Sequence, residues 1–143
     1  MKKILVTAIA AGFAFTSCKS DDDDTPLIVG TWKINKTVIN YADGTAETEN
    51  PDACEAKTEV IFREDHSVTS NEFFNNGSSC LSDSNSGNYS YNQSAHKLTI
   101  TLNGDTSDFN VLSLNSSELV IRGQDDDYDG DGLDDQYILH LKK

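Results

Sequence analysis

Positive charge is what this chain has least of. Its 143 residues carry 11 Lys and Arg against 24 Asp and Glu, for a formal net charge of −13. A surface of that sign repels phosphate backbones, which excludes nucleic acid as an expected partner. Histidine is scarce as well. His66, His96 and His140 stand far apart, without the His-x-x-x-His or His-x-Glu spacing that gathers a catalytic metal. There is no Gly-x-Ser-x-Gly and no glycine-rich phosphate loop, and serines such as Ser78, Ser79 and Ser82 fall among turn-forming residues. Glu47, Glu49, Glu55 and Glu64 show no spacing that recommends a carboxylate pair. No enzyme is expected. Helical periodicity is weak after the first 25 residues. The longest apolar run, Ile4 to Phe15, is shorter than the ~20 residues a spanning helix needs.

That run has informative flanks. Met1-Lys2-Lys3 precedes it and Thr16-Ser17-Cys18 follows, the order of a secretory signal: basic start, short apolar stretch, small residues at the cleavage point. Cys18 at that point resembles a bacterial lipobox, in which the thiol is lipidated and becomes the first mature residue. Ser20, Asp21, Asp22, Asp23 and Asp24 resemble the export tag of Bacteroidetes lipoproteins that reach the cell surface. Residues 1–17 are read as signal peptide and 18–26 as lipidated Cys and acidic tether. The expected location is the outer membrane, lipid-anchored and exposed at the cell surface. Acyl chains insert with about 0.8 kcal/mol per buried CH₂. The alternative is an ordinary signal cut near Ala14, leaving Cys18 as an exposed thiol, a chemical liability. Removing residues 1–17 leaves 9 basic against 24 acidic residues, a net charge of −15.

Residues 27–143 suit one domain with a modest core. They read as short strands separated by Asn, Asp, Ser and Gly clusters: 28–41, 58–63, 67–74, 87–91, 97–102, 108–114, 118–122 and 136–141. In the first, Trp32, Ile34 and Val38 share a face. Residues 41–57, with Pro51 and high polarity, read as loop in preference to a short helix at 53–56. Short strands in series predict an all-β sandwich or barrel. Eight strands joined by sequential hairpins favour the up-and-down antiparallel barrel, because closure removes both sheet edges.

Gly30-Thr31-Trp32 resembles the Gly-x-Trp signature of lipocalins. Cys54 before the second strand, Phe62 ending it, Cys80 after the third, and Gly87-x-Tyr89 opening the fourth resemble the short lipocalin-like lipoprotein domains of Flavobacteria and their relatives. The resemblance covers roughly residues 27–142. It departs at Asp65-His66, where that family usually has Asp-Gly, so a different turn is expected. Cys54 and Cys80 allow one intramolecular disulfide after export, worth about 3–4 kcal/mol in the chain-entropy model. Two free thiols in a reducing niche are the alternative. The resemblance implies a small hydrophobic ligand inside the barrel. Trp32, Phe62, Tyr89, Tyr91, Phe109 and Tyr137 either line that pocket, with Tyr89, Tyr91 and Tyr137 offering hydroxyls, or fill the interior as core; Trp32 plugs the closed end in both cases. A filled barrel would act through its outer surface on a protein partner, as an inhibitor or an accessory subunit of an envelope complex.

Near the end of the chain, Asp127-Tyr128-Asp129-Gly130-Asp131-Gly132-Leu133-Asp134-Asp135 matches D-x-D-x-D-G-x-x-D, the first nine positions of an EF-hand-like calcium loop. Asp127, Asp129, Asp131, the Leu133 carbonyl and Asp135 are the expected Ca²⁺ ligands, since the ion takes six to eight oxygens. Position twelve is Ile138, not Glu, so the bidentate ligand is missing. The loop resembles those of thrombospondin type 3 repeats more than a true EF-hand. The expected role is structural, pinning the last hairpin. The alternative is a solvated acidic hairpin, which must bear the repulsion of seven Asp within eleven residues.

Overall fold

The computed structural model describes residues 26–143. The expectations for residues 1–17, Cys18, Ser20 and Asp21 to Asp24 lie outside the described residues. Nine strands follow in order: β1 (Gly30–Asn40), β2 (Ala46–Glu49), β3 (Glu59–Phe62), β4 (Ser67–Asn75), β5 (Cys80–Asn92), β6 (Lys97–Leu102), β7 (Asp105–Leu114), β8 (Glu118–Arg122) and β9 (Gln136–Lys142). One 3₁₀ turn, Glu55–Lys57, is the only helical element among the described residues. Each strand pairs antiparallel with its neighbours, and β9 returns to β1, so eight strands close an up-and-down barrel. β2 is the ninth strand and stays outside the ring, paired only with the second half of β1.

Two strands differ from the expectation, for one reason. β2, Ala46-Glu47-Thr48-Glu49, is exposed throughout, and β5 begins at Cys80 instead of Gly87. Neither Ala46–Glu49 nor residues 80–86 bury an apolar face, so neither carries the alternation by which a strand is read. They form because a partner backbone is in register beside them: Asn75↔Cys80 through Ser67↔Asn88 is unbroken along β4 and β5. Gly87 sits inside β5, where a β-carbon would overlap the Thr101 carbonyl oxygen of β6; only glycine permits that approach.

A bulge corrects the faces of β1. Ile34 pairs with Leu141 and Lys36 with His140, leaving Asn35 as the extra residue. The slip exchanges the faces beyond it. Trp32 and Ile34 face the interior as expected. Thr37, paired with Leu139, is the next to face inward, and Val38 moves to the outside.

The barrel has two unlike ends. One carries the tight connections 63–66, 93–96 and 115–117 together with both ends of the described chain. There Ile28, Trp32, Phe62, Val68, Leu98 and Leu119 pack in a single cluster. Burying each larger apolar side chain stabilises by about 1.5–3 kcal/mol. The Asp65-His66 turn places a non-glycine residue at its bend. His66 itself adopts the left-handed conformation, φ 64°, and Asp65 accepts a hydrogen bond from the Ser67 amide at 2.9 Å. The other end carries the long connection 41–58, the β4–β5 hairpin tip, the two-residue Asn103-Gly104 turn and the acidic loop 123–135. Asn103 and Gly104 both have positive φ, the turn type that matches strand twist.

Candidate functional site

The closed end has no room for a ligand. Trp32 is fully buried, and its indole N–H donates to the Ile28 carbonyl at 2.7 Å. Lys143 lies over the indole, Nζ 4.6 Å from the ring centroid, and donates to the Leu27 and Val29 carbonyls. Trp32 is therefore part of the packed core that closes this end. Phe62 and Tyr89 meet edge to face at 4.8 Å. The Tyr89 hydroxyl donates to the Arg63 carbonyl at 2.8 Å, which takes it out of ligand orientation. Tyr91 packs against the same cluster, and burial pushes its phenol up.

The opposite end is open. Two lobes, of about 400 and 410 Å³, lie inside the barrel and share the walls Val60, Ser70, Glu72, Leu139 and Leu141. The first lobe runs toward the 49–58 segment and has Tyr137 in its lining; the second runs under β6 and β7 and has Phe62 and Phe109. Of the six aromatics, Trp32, Tyr89 and Tyr91 are core, Tyr137 lines the cavity, and Phe62 and Phe109 belong to both. Ser70, Glu72 and Asn85 complete the polar lining on the β4–β5 side; sequence periodicity missed them because polar inward positions read as outward ones. The signal was available in the ladder: counting by twos inward from the buried Val68 gives Ser70, Glu72 and Phe74.

A disulfide joins Cys54 and Cys80, with Cα atoms 5.5 Å apart. It fastens the 3₁₀ turn to the tip of the β4–β5 hairpin, across the mouth. Phe74 and Leu81, cross-strand partners beside it, are 47% and 41% exposed.

The acidic loop closes the other side of the mouth. Carboxylate oxygens of Asp127, Asp129 and Asp135 lie within 4.8 Å of one another; Asp131 is outside that trio. Asp127 accepts from the amides of Gly130 and Gly132, and Asp131 accepts from the Leu133 amide. Asp135 is fully buried. One of its oxygens accepts from the Ala42 amide at 2.9 Å and the other from the Tyr128 amide at 2.8 Å, so it ties the loop to the β1–β2 turn. The Asp131 amide donates to Asp129 and lowers its pKa; desolvation and the charges of Asp131, Asp135 and Asp127 outweigh that and hold it above the usual carboxylate range. Asp125 is taken by Arg122 at 2.9 Å and does not serve the trio. Tyr128 stacks on Tyr137, centroids 5.8 Å apart, which connects the loop to the cavity wall. The remaining candidates do not converge. His66 and His96 are exposed, while His140 is half-buried, its Nδ1 3.7 Å from Glu118.

A closed antiparallel barrel, plugged by a tryptophan at one end and hollow at the other, defines the class of small cup-shaped barrels. Residues 28–121 match the family described as lipocalin-like domain, and the chain belongs to that family. Among solved structures it is similar to a bovine odorant-binding protein, a deswapped triple mutant, at 13% identity and a TM-score of 0.44, over 82% of this chain and 74% of that one. It is similar also to a bovine lipocalin allergen, at 15% identity and a TM-score of 0.45, over 82% and 73%. A dog lipocalin allergen matches at 12% identity and a TM-score of 0.44, over 81% and 73%. No curated protein matches the sequence.

Proposed function

We propose that this protein is a lipid-anchored envelope lipoprotein whose barrel binds one small, largely apolar molecule through its open mouth, with Ca²⁺ held in the adjacent acidic loop. The observation that carries the reading is the pair of joined lobes, each in the size range of small-molecule sites and walled by Val60, Leu139 and Leu141. The family supports it, because a lipocalin-like barrel is built to enclose a ligand. The anchor rests on residues 1–24: lipidation of Cys18 and surface export directed by Ser20 to Asp24. The calcium reading rests on Asp127, Asp129 and Asp135, which supply the hard oxygens the ion prefers. With no Glu at position twelve, affinity falls in the weak extracellular range, about 10⁻⁴ to 10⁻³ M. The ion would relieve the repulsion that raises the Asp129 pKa and brace the connection into β9.

The exposed Phe74–Leu81 pair favours a second reading, a barrel that docks a protein partner at its hairpin tip. Native mass spectrometry separates the two. The chain is purified from cells with calcium present and measured before and after chelation. Expected is one co-purifying small organic molecule, and one ion lost on chelation. A bare protein mass under both conditions overturns the ligand and calcium readings and leaves the docking surface.

A further inference from the structure

We infer that the ligand of this cavity is a cation: an apolar molecule ending in an ammonium or similar positive group, with Glu72 as its principal counter-charge. The inference rests on the cavity reading above and names the chemistry of the same site. Glu49, Glu55 and Glu72 stand in or at the first lobe, Glu72 and Asp105 in or at the second, and no Lys, Arg or His lines either among the described residues. None of these four carboxylates takes part in an ion pair formed among the described residues. All four are exposed to solvent at the rim of the lobes, so they set a negative potential at the mouth that favours a positive group over a neutral or negative one.

Glu72 has the most to gain. It is on the inward face of β4, two residues beyond Ser70, which is 6% exposed and within 3.3 Å of the Glu72 carboxylate through its hydroxyl. Its cross-strand partner is Asp83. Partners directly opposite in an antiparallel ladder project to the same face, and like charges there repel. Among the described residues Asp83 accepts from local donors, the Ser84 amide and the Asn85 side chain. Two carboxylates thus share one face at the mouth, and neither is in an ion pair formed among the described residues. Below them the wall turns apolar, with Ile100, Leu102 and Phe109 in one lobe and Ile34, Leu139 and Leu141 in the other. An apolar tail would occupy that wall while a positive head remains beside Glu72. A fatty-acid carboxylate in the same pose would add a further negative charge to a site that cannot neutralise the ones it has.

The test uses three molecules with one tail and different heads: dodecylammonium, dodecanol and dodecanoate, each titrated calorimetrically below its micelle concentration into the purified protein. Expected is an ammonium affinity at least about tenfold above that of the alcohol, with the carboxylate weakest. Glu72→Gln should narrow the gap between ammonium and alcohol. The variant also removes the repulsion with Asp83, so folding is favoured. Equal or tighter binding of the alcohol or carboxylate overturns the cationic ligand and leaves the cavity reading standing. Binding of none of the three overturns both. An ammonium preference that survives Glu72→Gln together with Glu49→Gln assigns it to the acidic surface as a whole, and the inference fails.

Discussion

The closed end and the open end of this barrel are built from different materials. At the closed end, fully buried apolar side chains and three short turns hold eight strands together, and the indole of Trp32 lies beneath the Lys143 ammonium. At the open end the packing gives way to a cavity. A covalent bond and a buried carboxylate take its place: Cys54–Cys80 on one side, Asp135 bridging to the Ala42 amide on the other. A hollow mouth cannot be stabilised by side chains that would fill it. Bracing from outside the cavity leaves the lobes free. Packing is therefore concentrated at one end and open volume at the other.

If that division holds, the two ends respond differently to damage. The largest effect is expected at the plug. Trp32→Ala removes a fully buried side chain, its hydrogen bond to Ile28 and the seat of Lys143, and should cost about 3–5 kcal/mol in denaturant unfolding. The ranking of the three head groups should survive in whatever fraction stays folded, because Trp32 lines neither lobe. A reversed ranking would show that the ends are coupled. The next effect belongs to the mouth. Cys54→Ser with Cys80→Ser opens a link between residues 26 apart and should cost about 3–4 kcal/mol by the chain-entropy account. Unlike Trp32→Ala, it should raise amide exchange most at residues 50–58 and 75–82. Uniform exchange across the barrel would break the distinction.

The same division decides what was legible in the sequence. At the closed end the start of β1 was legible, because the buried Trp32 stands between the exposed Thr31 and Lys33; β8, with Leu119, Val120 and Ile121 all buried, carries no alternation and shows only as an apolar run. The Asp loop was legible as a motif; of its four expected carboxylates the geometry gathers Asp127, Asp129 and Asp135 and leaves Asp131 outside. What escaped was the mouth: β2, the first seven residues of β5, and Ser70, Glu72 and Asn85 on the cavity wall. A strand that faces a hollow need not alternate, and an inward polar residue carries no periodic mark. The Asn35 bulge escaped for a related reason. One unpaired residue reverses a face without changing composition, and Val38 went to the wrong side with it.

The smallest effect concerns the closed end again, at Asp65-His66. Left-handed backbone costs a residue with a β-carbon roughly 1–2 kcal/mol, and His66 holds φ 64° without the freedom of glycine. The turn is kept by its neighbours: the His66 amide donates to the Arg63 carbonyl at 3.1 Å, its carbonyl accepts from the Tyr89 amide at 2.9 Å, and its ring stands 5.7 Å from that of Tyr89. His66→Gly would release the backbone strain, lose the ring contact, and give the unfolded chain more freedom. The first term is the larger, so a gain of about 0.5–1 kcal/mol is expected in urea unfolding, with head-group selectivity unchanged. A loss instead of a gain would mean that the imidazole contact to Tyr89 outweighs the strain, and that the closed end, like the open one, depends on a polar residue in a place where packing alone was thought sufficient.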